Sequence, residues 1–120
     1  MENQYYLNHE KLNFYQFSIQ FLAKSTLISN EIPRGFGELK DQLKRASLSI
    51  PLNISEGYGK ESNKDKKRFL NIARSSAHEC GAILDSMKIL MLIEKNDFIE
   101  LKKLLRSIVC MMIKFSQSIK

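Results

Sequence analysis

QLKRASLSIPLNISEGYG, residues 42–59, is the stretch whose reading decides the fold. Leu39, Leu43, Ala46, Ile50 and Ile54 recur through it in steps of three and four, the spacing of one helical face, so the segment carries an apolar stripe to bury. Pro51 opposes that reading. Its ring offers no N–H to the Ser47 carbonyl and crowds the same oxygen, which costs about 3 kcal/mol in a helix interior. Burying each apolar side chain stabilises by about 1.5–3 kcal/mol, so four or five of them outweigh one proline if the helix can bend. The segment therefore reads as a helix kinked at Pro51. Ser47, Ser49 and Asn53 lie within a turn of the defect and carry polar atoms for the freed backbone groups.

Three more helices can be read around it. The first runs roughly from His9 to Ser29, with Leu12, Tyr15, Ile19, Leu22 and Ala23 on one side. Pro33 and Gly35 punctuate the turn that follows. The kinked helix starts near Gly37 and exits at Gly57-Tyr58-Gly59. Ser62, with Asp65 three residues on, forms a capping box for the third helix. That helix repeats Leu70, Ala73, Ala77, Cys80, Leu84, Met87 and Met91, with a second row at Phe69, Ile72, Ser76, Ile83 and Leu90. The last opens at Asn96 or Asp97 and continues through Leu101, Leu105, Ile108, Met112, Phe115 and Ile119. No strand-like alternation occurs. Helices joined by short loops pack as antiparallel neighbours, so the expected fold is all-α: one up-down-up-down four-helix bundle over residues 1–120.

Composition agrees with one small domain. Of 120 residues, 43% are hydrophobic and 27% charged, which is ordinary for a globular chain and argues against disorder. No Gly/Ser/Pro-rich linker, repeat or low-complexity tract divides it. MENQYYLNHEKLNF has no apolar signal-peptide core, and no run approaches a membrane span. A cytoplasmic protein without membrane association is expected. Cys80 and Cys110 read as free thiols, one on an apolar stripe and one beside another. Phe14, Phe17, Phe69 and Ile72 exceed what one core must bury, which marks subunit contacts.

Small side chains at Ala73, Ser76, Ala77 and Cys80 face small polar ones between Ser47 and Asn53. Such residues let two helix backbones approach closely. A loop centred near Lys60 and Glu61 sets Ser47 beside Arg74, Arg45 near Ser76 to Glu79, and Glu56 near Arg68. Arg45–Glu79 and Glu56–Arg68 are the expected cross-helix ion pairs.

These same residues carry a resemblance. RASLSIPLNISEGYG (Arg45 to Gly59), followed by RFLNIARSSAHE (Arg68 to Glu79), resembles the four-helix-bundle proteins encoded by intervening sequences in bacterial 23S rRNA genes. The family pattern is R-A-x-x-S-I-x-x-N-I-A-E-G, then F-L-x-x-A-x-G-S-x-x-E. Lys11-Leu12-Asn13-Phe14-Tyr15-Gln16 is similar to its first helix. Arg45, Ser49, Pro51, Asn53, Glu56, Gly57, Arg74, Ser76 and Glu79 thus form the structural motif. Ser55 stands where the family has Ala, and Ser75 where it has Gly. Relatives include accessory proteins of diversity-generating retroelements, which form barrel-like pentamers and bind nucleic acid. The resemblance implies a homo-oligomer, a pentamer, with RNA or DNA as partner and no enzymatic activity.

Charge points the same way independently. The chain carries 19 Lys and Arg against 13 Asp and Glu, a net +6. Lys40 to Arg74 holds nine basic and four acidic residues, so most of the excess sits in under a third of the chain. Lys60, Lys64, Lys66, Lys67 and Arg68 cluster at one helix exit and the next helix start, with Tyr58 nearby to stack on a base. Cations at a helix N-terminus oppose the macrodipole, and an anionic partner relieves that cost. Enzyme classes find no support: His9 and His78 form no acid–base pair, and no phosphate loop, metal-ligand cluster or nucleophile elbow is present. No cofactor or small-molecule substrate is expected. Two hypotheses follow: a nucleic-acid-binding ring that acts on RNA or beside a reverse transcriptase, and a structural or protein-interaction bundle without a nucleic-acid ligand.

Overall fold

In the computed structural model, residues 6–120 are described. The first five residues, part of the stretch read for a leader, lie outside them. Four helices make up most of the chain: α1 (Asn13–Asn30), α2 (Gly37–Tyr58), α3 (Asn63–Ile89) and α4 (Lys95–Ser118). Short 3₁₀ turns at Asn8–Lys11 and Arg34–Phe36 precede α1 and α2. No strand occurs among the described residues. The helices close a ring in which each touches its two neighbours, α1–α2–α3–α4 and back to α1. Side-chain pairs set the directions. Arg45 meets Glu79 and Ser49 meets Ser76, so α2 and α3 run antiparallel. Asp85 meets Lys102 across α3 and α4, and Lys24 meets Asp97 and Glu100 across α1 and α4. The result is the expected up-down-up-down bundle. No helix among the described residues is long and apolar enough to cross a membrane.

Helix α2 stays a single helix through Pro51, which is buried. Leu43, Ala46, Ile50 and Ile54 are fully buried on its inner face, as their spacing predicts. Near the proline, the Asn53 side-chain amide donates to the Ser49 carbonyl and to Ser49 Oγ, both at 2.9 Å. Ser47 donates to the Lys44 carbonyl at 3.2 Å.

The first helix differs from its sequence reading. It begins at Asn13, because Leu12 is extended and separates it from the preceding turn. Its buried face is Phe14, Ser18, Phe21, Ser25 and Ile28, not the row Leu12, Tyr15, Ile19, Leu22 and Ala23. Phe14, expected at a subunit contact, belongs to the core, and its ring packs 5.4 Å from that of Phe115. The buried row keeps strict steps of four and three, but every second member is serine. Each of these hydroxyls donates to its own helix: Ser18 to the Tyr15 carbonyl at 2.6 Å and Ser25 to Leu22 at 3.3 Å. Ser29, also buried, donates to Thr26 at 2.8 Å. A hydroxyl satisfied within its own turn can be buried without the penalty of an unpaired polar group.

Helix α3 buries Leu70, Ala73, Ala77, Cys80, Leu84 and Met87 as expected. Met91 leaves that row. It is exposed, beyond the helix end, with φ of 61°. Leu92 N–H bonds the Met87 carbonyl at 2.8 Å and Met91 N–H bonds Lys88 at 3.1 Å, the two bonds that close a helix through one left-handed residue. Leu90 and Ile72, from the second row, are also exposed. Ser62 Oγ accepts the Asp65 N–H at 3.1 Å and caps the start. Helix α4 opens at Lys95 after Glu94, one or two residues before the expected start at Asn96 or Asp97.

Cys80 is buried and Cys110 exposed. Burial, and then the adjacent Glu79 carboxylate, push the Cys80 thiol up to about 12, against a smaller opposing pull from Arg45. Raising this value keeps the thiol protonated, and only the thiolate attacks disulfide reagents. Near pH 8 the native protein should therefore titrate one thiol per chain quickly, Cys110, and the second only on unfolding. Two fast thiols in native protein would contradict the burial of Cys80.

Candidate nucleic-acid interface

The α2–α3 turn gathers the expected cations at one end of the bundle, and the structure sorts them into engaged and unengaged. Lys60 Nζ lies 3.2 Å from Glu56 Oε1, an i,i+4 pair, and 5.2 Å from the centre of the Phe69 ring. Arg68 lies over the same Phe69 ring, 4.4 Å from its centre, and 3.7 Å from Asp65. The expected Glu56–Arg68 pair does not form. Each residue finds an opposite charge on its own helix or at its exit, within one turn, where no second helix must be positioned first. Lys66 donates to the Tyr58 carbonyl at 2.9 Å and sits 5.5 Å from the Tyr58 ring. That ring also leans on Phe115, 6.1 Å away at 39°, so Tyr58 is half-buried between α3 and α4.

Lys64 and Lys67 remain. Among the described residues neither has an acidic group within ion-pair distance, and Lys64 is exposed. They stand one turn apart in the first two turns of α3, where the helix end already presents partial positive charge. With Arg68 they rim an open groove of about 590 Å³ along the outer side of α3. Its lower part is Asn71, Ile72, Ser75, Ser76 and Glu79. Sequence reasoning found the rim by charge and missed Asn71 and Ser75. Their signal was spacing: Lys64, Lys67, Asn71 and Ser75 fall in steps of three and four.

The motif residues hold the wall of this groove. Arg45 and Glu79 form the expected ion pair. Ser76 Oγ and Ser49 Oγ are 2.8 Å apart, and Ser49 is held in turn by Asn53. Gly57 lets α3 come closest: a Cβ there would stand 3.0 Å from Phe69 Cβ and 3.1 Å from the Lys66 carbonyl oxygen. Arg74 does not lie beside Ser47. It lines a narrow cleft with Met112, Ile113 and Ser116 of α4. Among the described residues no group of three or more His, Cys, Asp or Glu could hold a metal ion.

Fold and site together define a four-helix bundle with a tight α2–α3 junction and a cationic end. The 23S rRNA-intervening sequence protein family matches over residues 10–114, and the chain belongs to that family. Among curated proteins no sequence matches. A crystal structure of a protein of unknown function from the S23 ribosomal protein family, from Bacteroides thetaiotaomicron VPI-5482, has the same fold. It is 19% identical, with a TM-score of 0.79, over 88% of this chain and 99% of that one.

Proposed function

We propose that this protein is a cytoplasmic, non-enzymatic homo-oligomer that binds structured RNA through the cationic end of the bundle. The observation that carries the reading is the pair Lys64 and Lys67, a turn apart on α3, without acidic partners among the described residues and placed where the macrodipole makes an anion welcome. Family membership supports the association with rRNA genes, and a pentamer of five +6 chains, about +30 in all, would focus a strong field on an anionic partner.

Binding to structured RNA and duplex DNA as a function of salt tests this. Two phosphate contacts contribute about −2 to the slope of log K against log salt on duplex DNA, and each further contact adds about −0.9. Lys64→Gln with Lys67→Gln is expected to flatten the slope by about 1–2 units while helix content stays unchanged. An identical slope in wild-type and double variant would move the nucleic-acid surface elsewhere. The second reading, an interaction bundle with no nucleic-acid ligand, is favoured by the internal engagement of Lys60, Lys66, Arg68 and Tyr58. Absence of binding at about 50 mM salt, the low end of the usual comparison range, would establish it over the first.

A further inference from the structure

Helix α1 is apolar on its outer side as well as its inner one. Its inward face contains three fully buried serines, whereas Ile19 is 40% exposed and Leu27 69% exposed. Its eighteen residues include one charged side chain, Lys24, which is already paired with Asp97 and Glu100 of α4. Helices α2, α3 and α4 carry six, nine and seven charged residues. A helix that faces water usually carries charge on its outer side, and α1 carries only Gln16 and Gln20 beside the exposed Ile19 and Leu27. The outward residues Ile19, Ala23 and Leu27 thus lack a cover.

The same chain carries a surface that fits. The α3 groove has a neutral centre of Asn71, Ile72 and Ser75, and Ile72 is 39% exposed. The register set by Arg45–Glu79 and Ser49–Ser76 puts the exposed Leu52 level with Ile72 on the neighbouring helix. Arg45, beside them, is neutralised by Glu79. An α-helix rises 1.5 Å per residue, so Ile19 to Leu27 spans about 12 Å, as does Asn71 to Glu79 in the groove. One surface is convex, the other concave, and their centres are free of net charge. Copies of a +6 chain repel, so they meet best at the neutral centre of the groove, with the unpaired Lys64 and Lys67 left at its end.

We infer that the outer face of α1 packs into the α2–α3 groove of a second copy of this chain. The inference rests on the homo-oligomeric reading above and names its surface. The contact is heterologous, since each protomer uses α1 on one side and the groove on the other, and repetition closes a ring or extends a filament.

Light scattering on wild-type, Ile19→Glu and Ile72→Glu proteins tests it, with circular dichroism on each. Wild-type protein is expected to be a multimer and each variant a monomer of unchanged helix content. An equimolar mixture of the two variants should then give the mass of two protomers, because one offers an intact groove and the other an intact α1. A monomeric wild type would overturn the homo-oligomeric reading itself. A multimeric wild type with either variant still multimeric, or with variants that dissociate but do not recombine, would overturn only this pairing. Should a variant lose helix content, Ile19→Cys with Ile72→Cys in a Cys110→Ala background replaces it. Oxidation is expected to give a disulfide-linked ladder on denaturing gels, and monomer alone would refute the contact.

Discussion

Gly57→Val is expected to destabilise the protein by about 3 kcal/mol, the upper end of the range for forcing extra carbon into a packed site. A first Cβ already stands 3.0 Å from Phe69 Cβ and 3.1 Å from the Lys66 carbonyl. That second neighbour is backbone and cannot rotate away. The two further methyl groups of valine must push α2 and α3 apart, or bend one of them. Gly81→Ala provides the control. Its added Cβ meets nothing closer than Lys102 Nζ at 3.9 Å, so the gain in helix propensity, about 1 kcal/mol, is kept. Urea denaturation of the two variants should move the midpoint in opposite directions. Equal midpoints would mean that the α2–α3 approach is looser than the structure has it.

Phe21→Ala should cost about 3–5 kcal/mol, as expected for removing a large buried aromatic ring. Phe21 is fully buried and sits at the middle of the Phe14–Phe21–Ile28 row. Ile19→Ala should change the stability of the isolated protomer far less, by about 0.5 kcal/mol, since it removes a side chain that lies partly in solvent on the outer face. The pair is read at a protein concentration where subunits are apart, so that any subunit contact of Ile19 does not enter. A larger loss at Ile19 than at Phe21 would restore the row read from hydropathy as the inner face of α1.

That contrast shows where pattern reading works and where it fails. In α2, α3 and α4 the buried positions are apolar almost throughout, so steps of three and four find them: Leu43 to Ile54, Leu70 to Met87, Leu101 to Met112. In α1 the true row alternates phenylalanine with serine, and the false row is almost wholly apolar. A period search counts serine as polar. It has no access to the hydroxyl–carbonyl bonds at Tyr15, Leu22 and Thr26 that make those serines acceptable in a core. Met91 was lost for a different reason: the helix stops two residues earlier, so the phase of its row no longer applies. At the cationic end, charge counting located the cluster but not which members were engaged. Lys60 with Glu56 and Arg68 with Asp65 are pairs legible at i,i+4 and i,i+3, and the local choice prevails over the cross-helix one. The Lys66 bond to the Tyr58 carbonyl depends on how α2 exits, which the motif Gly57-Tyr58-Gly59 does not specify.

The ring of neighbours also dictates the order in which the chain can be completed. Helices α2 and α3 are joined by Gly59 to Ser62, and their contacts bring together residues close in sequence, the kind that form early and fast. Helix α1 leaves the ribosome before either, yet one of its two flanks is supplied by α4, which is made last. Lys24 meets no Asp97 or Glu100 until then. During synthesis the least charged helix of the four therefore waits longest for its surroundings, with Phe14 and Phe21 open on one face and Ile19 and Leu27 on the other. It is the segment of the nascent chain most in need of a chaperone's shelter.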